Sequence, residues 1–153
     1  MWFRVDNRLI HGQIIEAWLP YTGARHLIVA NDALARDSLR QRIVELAVPQ
    51  RVVTTHFIVV SDLPATLNAC GDESFVLFAN CQDARRACCA GIGMEVLNMG
   101  NLHYSPKKIR LSPHIALSPQ DREDLLFIQS NFVQLDFRSI PTEKVRSCHE
   151  HLL

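Results

Sequence analysis

The chain has 153 residues, 48% of them hydrophobic and 21% charged, with 16 basic residues balanced by 16 acidic ones. This length predicts one domain, residues 1–153, with a sizeable core, and the zero formal net charge argues against a nucleic-acid binder driven by overall basicity. No apolar run approaches the roughly 20 residues that span a bilayer, and the charges of Arg4 and Asp6 come too early for a signal peptide, so we expect a soluble, cytoplasmic protein.

The first part of the chain alternates short apolar runs, typical of buried strands, with segments of helical periodicity. The predicted strands span residues 2–5, 26–30 and 55–60. The predicted helices span residues 13–21, 32–48 and 61–68. Asp32 is the expected N-cap of the second helix, since a carboxylate accepts hydrogen bonds from the free N–H groups of a first turn. Four apolar residues of this helix have the spacing of one face: Leu34, Leu39, Ile43 and Leu46.

The remaining elements continue the alternation. The predicted strands span residues 74–79, 95–99, 114–117 and 133–137. The predicted helices span residues 82–90, 119–130 and 141–151. Ser118 is expected to cap the second of these helices, with Pro119 at the favoured first position. Residues 100–113 predict a loop that has room for a short strand near Ile109.

Strands that alternate with helices predict right-handed crossovers and a mostly parallel sheet. The expected fold class is α/β, an open doubly wound sheet with helices on both faces. In such folds, ligands bind beyond the carboxyl ends of the strands. The loops in which we expect function are therefore residues 6–12, 31–32, 61–62, 80–81 and 100–108.

The loop after the first predicted strand has the richest chemistry: residues 4–13 have the sequence RVDNRLIHGQ. A neutral imidazole has one free nitrogen lone pair, so His11 can accept a phosphoryl group and later release it. Arg8 can bind the phosphate through charge-assisted hydrogen bonds, and Asp6 can orient His11 or Arg8. Gly12 would let the backbone of a helix N-terminus come close to the anion.

Each residue of this loop also has a plainer interpretation. A loop histidine, a solvated surface arginine and an aspartate in a turn are all common without any catalytic role. The composition of the loop alone therefore leaves both interpretations open for His11, Arg8 and Asp6.

The other candidates are weaker. His103, Lys107 and Lys108 can contact a phosphorylated partner, although a solvated basic loop is the more common case. Histidines in predicted strands are more often packed than metal ligands; here they are His26, His56 and His114. His149 and His151 can bind a metal adventitiously. The cysteines are odd in number and lack CxxC spacing, so we expect buried free thiols without a disulfide or zinc site: Cys70, Cys81, Cys88, Cys89 and Cys148.

The whole string from Asp6 to Gln13, DNRLIHGQ, closely resembles the D-x-R-L-I-H-G-Q motif of IIB subunits of the mannose/fructose/sorbose family of sugar phosphotransferase systems. The order of predicted strands and helices is similar to that family over nearly the whole chain. Residues 97–101, LNMGN, resemble the LNVGG-type segment of the family, with Asn101 in place of a frequent second glycine. Because a non-glycine residue restricts positive φ, we expect Asn101 to affect the shape of the following loop.

The resemblance implies a phosphocarrier enzyme, a phosphohistidine–sugar phosphotransferase. His11 is the residue expected to be phosphorylated, at Nδ1, with Arg8 contacting the phosphate and Asp6 as the acidic residue of the loop. Gly12 and Gln13 complete the motif and are expected to support the loop. The implied donor is a IIA phosphohistidine, and the implied acceptor is a sugar held by membrane IIC and IID subunits. No metal or organic cofactor is implied, and a homodimer stays open.

Two other functions remain open at this level. The chain can be a regulator that is phosphorylated without feeding sugar transport, or a non-catalytic α/β module whose loop binds an anion or a protein. Direct phosphotransfer requires His11 to be accessible, so the phosphocarrier interpretation predicts an exposed imidazole at the rim of the sheet.

Overall fold

The computed structural model describes residues 1–145. The strands are β1 (Trp2–Val5), β2 (His26–Ala30), β3 (Thr54–Ile58), β4 (Ser74–Phe78), β5 (Val96–Met99), β6 (Ile109–Arg110), β7 (Ala116–Leu117) and β8 (Gln134–Asp136). The α-helices are α1 (Leu19–Thr22), α2 (Asp32–Ala35), α3 (Ser38–Glu45), α4 (Leu63–Cys70), α5 (Cys81–Cys89) and α6 (Pro119–Ser130). A π-helical turn, Ile14–Trp18, leads into α1, and a 3₁₀ turn, Val60–Asp62, leads into α4. None of the helices in this part of the chain is long and apolar enough to cross a membrane.

Six of the described strands form one parallel sheet in the order β3-β2-β4-β1-β5-β8. β1 is central, and its register pairs Arg4 with Leu77 of β4 and with Asn98 of β5. β6 and β7 pair antiparallel in a separate ribbon. Because all six strands run in the same direction, the loops that follow them gather at one edge of the sheet, where such folds bind ligands.

Two hydrophobic clusters cover the opposite faces of the sheet, because successive side chains of a strand point to opposite sides. On the α5 face, Phe3 and Val5 of β1 pack with apolar residues of α4, α5 and α6. On the Trp18 face, Leu27 and Val29 of β2 pack with Trp18. The expected fold class, a doubly wound α/β sheet with helices on both faces, is confirmed.

Residues 32–48 do not form the single helix that their periodicity predicts. Asn31 begins α2, since its side chain accepts an N–H group of the first turn, and Asp37 begins α3 in the same way. The expected cap, Asp32, lies one residue inside the helix, and its carboxylate accepts the N–H of Val60 instead, at 2.9 Å. The second cap starts a new helix and so breaks the predicted one.

The predicted apolar face of this segment is buried only at its start. Leu34 is 1% exposed, whereas Leu39 and Ile43 are 69% and 60% exposed and Leu46 is 85% exposed. Because α3 begins at its own cap, the helical spacing between Leu34 and the later residues no longer puts them on one face.

Two predicted elements near the carboxyl end differ from the structure within the described residues. The predicted strand 114–117 is reduced to β7, which pairs with β6 and does not join the parallel sheet. The predicted helix 141–151 does not begin at residue 141, because residues 141–145 form a turn and irregular backbone. Here the carboxylate of Glu143 accepts the N–H of Ser139 at 2.8 Å. The rest of that predicted helix lies outside the described residues.

The other predicted strands and helices lie within two residues of their expected ends. α6 begins at the expected cap: the side chain of Ser118 accepts the N–H of Asp121, and the Asp121 carboxylate accepts the N–H of Ser118. The expectation of buried thiols holds fully for Cys81 among the described cysteines, while Cys89 is exposed.

Candidate active site at the carboxyl end of β1

The loop after β1 is held by buried side chains. Leu9 and Ile10 are 4% and 9% exposed and belong to the cluster on the Trp18 face. Leu9 has a φ of +54°, which leucine rarely adopts, and its N–H donates to the carbonyl of Asp6 at 2.9 Å. This buried, strained turn places His11 at the start of the following helix, where its carbonyl accepts the first helical hydrogen bonds.

His11 and Asp6 form a hydrogen-bonded pair, with Nε2 of the imidazole 3.0 Å from Oδ2 of the carboxylate. An ionised carboxylate can only accept hydrogen bonds, so Nε2 carries the hydrogen of the neutral ring. Nδ1, on the other side of the ring, then keeps its lone pair. The carboxylate thus sets both the tautomer and the orientation of His11.

The Asp6 carboxylate is buried and accepts several further hydrogen bonds. Its Oδ2 accepts from Nε and Nη2 of Arg4 at 3.2 and 2.9 Å and from Nδ2 of Asn101 at 3.0 Å. Its Oδ1 accepts the N–H of Arg8 at 3.1 Å. Burial alone would raise the pKa of Asp6, but the hydrogen bond from His11 and the charge of Arg4 hold that pKa below its usual range. Asp6 is therefore an anion at neutral pH.

Arg4 is a buried charge in the central strand, with 0% of its surface exposed. Asn98, its neighbour in the β1–β5 register, accepts a hydrogen bond from Nη1. Its guanidinium carbon lies 4.9 Å from the ring centroid of Trp18. Burial lowers the pKa of Arg4, and the charge of Asp6 opposes this shift. A buried charge needs a partner, so Arg4 and Asp6 depend on each other.

Gly100 makes room for the Arg4 guanidinium. A Cβ atom at Gly100 would lie 2.4 Å from Cζ and Nη2 of Arg4, far inside van der Waals contact. The N–H of Gly100 donates to the carbonyl of Val5 at 2.7 Å, which fixes the backbone against β1. A side chain at this position would therefore have to displace Arg4.

Asn101 is part of the site. It is 8% exposed, its Nδ2 donates to Asp6, and its carbonyl accepts the N–H of Asn7 at 2.8 Å. Its φ is not positive, so the expected restriction of the loop by a non-glycine residue does not arise. The asparagine instead gives Asp6 a donor that glycine cannot supply.

Gln13 links the loop to the segment after β8. Its Oε1 accepts from Nη2 of Arg4 at 3.4 Å, and its Nε2 donates to Oγ of Ser139 at 3.2 Å. Nε1 of Trp18 donates to the carbonyl of the same serine at 2.9 Å. These contacts give Gln13 a supporting position behind the Asp6–His11 pair.

Arg8 and Gly12 form the exposed surface of the loop. The Arg8 guanidinium has no hydrogen-bond or ion-pair partner within residues 1–145. A Cβ atom at Gly12 would meet no atom within 4 Å, so the space beside it is open. The side chain of His11, in contrast, is 7% exposed. The expectation of an exposed imidazole is therefore wrong, because the hydrogen bond to buried Asp6 draws the ring inward.

The basic residues in the loop after β5 differ in their surroundings. Nζ of Lys108 lies 3.8 Å from the carboxylate of Asp121, while His103 and Lys107 are exposed. The sequence candidates Cys148, His149 and His151 lie outside the described residues.

The sequence matches, over residues 1–152, the family described as PTS system sorbose subfamily IIB component, where PTS is the phosphotransferase system. The chain belongs to this family. The N-acetylgalactosamine-specific phosphotransferase enzyme IIB component 1 of Escherichia coli K12 is 28% identical over 146 residues, which cover 92% of this chain and 90% of that protein. The mannose-specific EIIAB component of the same organism is 26% identical over 143 residues, which cover 92% of this chain and 44% of that protein.

A solved structure agrees with this assignment. The IIBSor domain of the sorbose permease from Klebsiella pneumoniae has a TM-score of 0.88 and 25% identity, covering 97% of this chain and 93% of that chain. The IIB component described here therefore shares its fold with this relative along nearly its whole length. IIB components are phosphotransferases, so the chain is placed in that class.

In this IIB component, the motif residues lie together in one loop, and further polar residues lie behind it. Asp6 and His11 are in contact, Arg8 contributes its backbone N–H, and Gln13 reaches the pair through Arg4. Sequence reasoning did not find Arg4 or Asn98. Both are polar residues within otherwise apolar strands that the sheet buries. A polar residue that interrupts an apolar strand was the one signal in the sequence that could have indicated them.

Proposed function

We propose that this IIB component is a cytoplasmic phosphocarrier. It accepts a phosphoryl group on Nδ1 of His11 from the phosphohistidine of a IIA partner and passes it to a sugar bound by the membrane subunits IIC and IID. The 3.0 Å contact between Nε2 of His11 and Oδ2 of Asp6 carries this proposal. It leaves Nδ1 as the nitrogen with a free lone pair.

In the accepting step, the Nδ1 lone pair attacks phosphorus while the phosphorus–nitrogen bond of the donor histidine breaks. The donor ring leaves as a neutral imidazole, and the positive charge moves to the ring of His11. Because ionised Asp6 is hydrogen-bonded to that ring, it stabilises this charge. Little else is needed, since phosphoryl transfer depends mainly on positioning and electrostatics.

In the releasing step, a sugar hydroxyl oxygen attacks phosphorus and the bond to Nδ1 breaks. The bonding electrons return to the ring, and the hydroxyl proton leaves to a base or to water. His11 is then neutral again. Its Nε2 keeps its hydrogen and still donates it in the hydrogen bond to Asp6. The carrier is therefore ready for another cycle without any cofactor.

Arg8 and Gly12 are the proposed surface on which the phosphate arrives. The Arg8 guanidinium is exposed and has no partner in the described residues, so it is available for a bidentate contact with phosphate oxygens. The open space beside Gly12 gives the anion an approach to the helix start. Because the His11 side chain is 7% exposed, the donor imidazole needs more access to the ring than this conformation gives.

The names of the relatives support the choice of partners. The mannose-specific relative is an EIIAB component, so its name joins a IIA part to a IIB part in one protein. The relatives also carry different sugar names, N-acetylgalactosamine, mannose and sorbose among them. We therefore propose a IIA donor and a sugar acceptor and name no particular sugar.

The decisive experiment is phosphotransfer to the purified full chain. The general phosphotransferase proteins, phosphoenolpyruvate and a IIA protein are added, and intact mass reports the phosphate on the chain. We expect one acid-labile phosphate, mapped to His11 by fragmentation. A chain that never gains phosphate would support the anion-binding or protein-binding module instead.

A second measurement separates the carrier from the regulator. Membranes that contain cognate IIC and IID subunits are added to the phosphorylated chain together with radiolabelled sugars. Formation of sugar phosphate with matching loss of phosphate from His11 supports the carrier. Stable phosphate on His11 in the presence of every sugar and membrane pair tested would favour regulation.

A further inference from the structure

Two histidines and a cysteine converge at the end of the sheet opposite to His11. His26 begins β2, His56 lies in β3 and Cys70 ends α4. Nδ1 of His26 lies 3.1 Å from Nε2 of His56, and Sγ of Cys70 lies 3.6 Å from that Nε2. The three potential ligand atoms all lie within 4.8 Å of one another, and all three residues are half-buried.

We propose that His26, His56 and Cys70 form a binding site for a Zn²⁺-class divalent cation, with water as the fourth ligand. Imidazole nitrogen and thiolate sulfur are the ligands that such cations prefer, whereas Mg²⁺ and Ca²⁺ prefer oxygen. Three protein ligands and one open position form a recurring zinc arrangement. The partial exposure of all three residues leaves space for the water.

The distances suit a tetrahedral cation. With bonds of about 2.1 Å to nitrogen and about 2.3 Å to sulfur, tetrahedral angles place two nitrogens about 3.4 Å apart and a nitrogen and sulfur about 3.6 Å apart. The observed separations are 3.1 Å between the His26 and His56 nitrogens and 3.6 Å between the His56 nitrogen and the Cys70 sulfur. The third pair, the His26 nitrogen and the Cys70 sulfur, lies within 4.8 Å, so a cation would be centred by adjustment of these two side chains.

The two pKa shifts at this cluster have opposite effects on metal binding. Burial, followed by the proximity of His26, lowers the pKa of His56, which favours the neutral ring that binds metals. Burial raises the pKa of the Cys70 thiol. Binding therefore exchanges the thiol proton, released to solvent, for a metal–sulfur bond. The hydrogen between the two imidazoles moves to the other nitrogen of its own ring.

The tertiary structure explains why these residues meet. β2 and β3 are neighbours, with Ile28 opposite His56, so alternation puts His26 and His56 on the same face of the sheet. Cys70 packs against the hydrophobic cluster on that α5 face. β3 is the edge strand of the sheet. A bound cation would thus tie the edge strand to β2 and to the end of α4.

The test uses the full chain in a buffer with a phosphine reductant, titrated with Co²⁺ and with Zn²⁺. Co²⁺ should give one equivalent of binding, tetrahedral d–d bands and a thiolate-to-metal charge-transfer band. A chromophoric chelator in competition gives the Zn²⁺ affinity. Cys70→Ser should abolish the charge-transfer band, and His56→Gln should weaken Zn²⁺ binding at least about tenfold. Even residues that only orient metal ligands contribute about 10–100-fold to affinity.

Matched controls identify the site. Cys88→Ser removes another half-buried thiol that packs against the same cluster, and it should keep the band and the affinity. The double variant His149→Gln/His151→Gln tests the other histidine pair and should also keep them. Circular dichroism confirms that each variant is folded. His26→Gln, which should also weaken Zn²⁺ binding, replaces a ligand variant that does not fold. The proposal is overturned if the wild type shows no charge-transfer band, or if the C-terminal double variant loses the band while Cys70→Ser retains it.

Discussion

At the scale of single residues, the candidate site consists of an imidazole and a buried carboxylate that have different roles. In the proposed mechanism, Nδ1 of His11 is the nucleophile, and Asp6 contacts the opposite nitrogen at 3.0 Å. The carboxylate is itself held by Arg4 and Asn101. The proposed nucleophile is thus oriented by residues that do not have to touch the phosphate.

Replacing the nucleophile is the most direct prediction. His11→Ala should accept no phosphate in the intact-mass assay. Its free energy of unfolding should fall by about 1–3 kcal/mol because charged Asp6 loses one donor, while its other donors keep the fold. His103→Ala, which changes an exposed histidine, should be phosphorylated at the wild-type rate. Phosphate on His11→Ala at the wild-type level would contradict the assignment.

Removing the charge of Asp6 should damage both transfer and stability. Asp6→Asn leaves buried Arg4 without its counter-charge, so urea unfolding should show a loss of about 3–5 kcal/mol. Phosphotransfer should slow, because the amide no longer stabilises the charged ring. An Asp6→Asn variant with wild-type stability and rate would show that the pair is not coupled to the chemistry.

Because the pKa of Asp6 is lowered in the folded protein, the stability that ionised Asp6 contributes depends on pH. The stabilisation is present above the unfolded-state pKa of about 3.9 and is lost as pH falls through the lower folded-state value. Below about pH 4, the wild type should lose stability with acid more steeply than Asp6→Asn. Parallel acid profiles for the two proteins would contradict this account.

Arg8 has a different task, because it is exposed and lacks a partner among residues 1–145. Arg8→Lys keeps the charge but loses the planar fork that binds phosphate at two points. We expect slower single-turnover phosphotransfer, a smaller change in affinity for the donor, and unchanged unfolding. A transfer rate equal to that of wild type would make Arg8 an ordinary surface charge.

At the scale of elements, the backbone after β5 shapes the site as much as the loop after β1. A Cβ at Gly100 would lie 2.4 Å from the Arg4 guanidinium. Gly100→Ala should therefore displace Arg4, slow phosphotransfer and cost about 1–3 kcal/mol through overpacking. Gly93→Ala is the control, since a Cβ there meets nothing within 4 Å. Equal rates and equal unfolding midpoints for the two variants would refute the role given to Gly100.

At the scale of the whole molecule, the two candidate sites are separated by the sheet. His11 follows the carboxyl end of β1 on the Trp18 face, and His26 begins β2 on the α5 face. Distant sites without shared partners behave independently. Cys70→Ser should therefore be phosphorylated at the wild-type rate, within about twofold, with or without Zn²⁺. A Zn²⁺-dependent rate in the wild type that Cys70→Ser abolishes would reveal coupling across the sheet.

Much of this architecture followed from local patterns. Apolar runs and helical periodicity predicted the parallel α/β sheet, and Ser118 with Pro119 predicted the start of α6. The DNRLIHGQ string predicted that the loop after β1 carries the site. These features depend on neighbouring residues in the chain, so a sequence can show them directly.

Other features were decided only when distant segments met. The break between α2 and α3 depends on which of several capping residues, Asn31, Asp32 or Asp37, finds a free N–H group. Arg4 meets Asn98 because β5 lies beside β1, and His26 meets His56 because β3 lies beside β2.

By itself, then, the sequence determined the fold class and the family, and it predicted His11 as the residue that accepts phosphate. Only the tertiary structure showed which residue contacts Nε2 of His11, how far the ring is buried, and which residues keep Asp6 ionised. The physical reason is that the tautomer and burial of His11 and the pKa of Asp6 depend on contacts between segments far apart in the chain. The local periodicity of the sequence does not show those contacts.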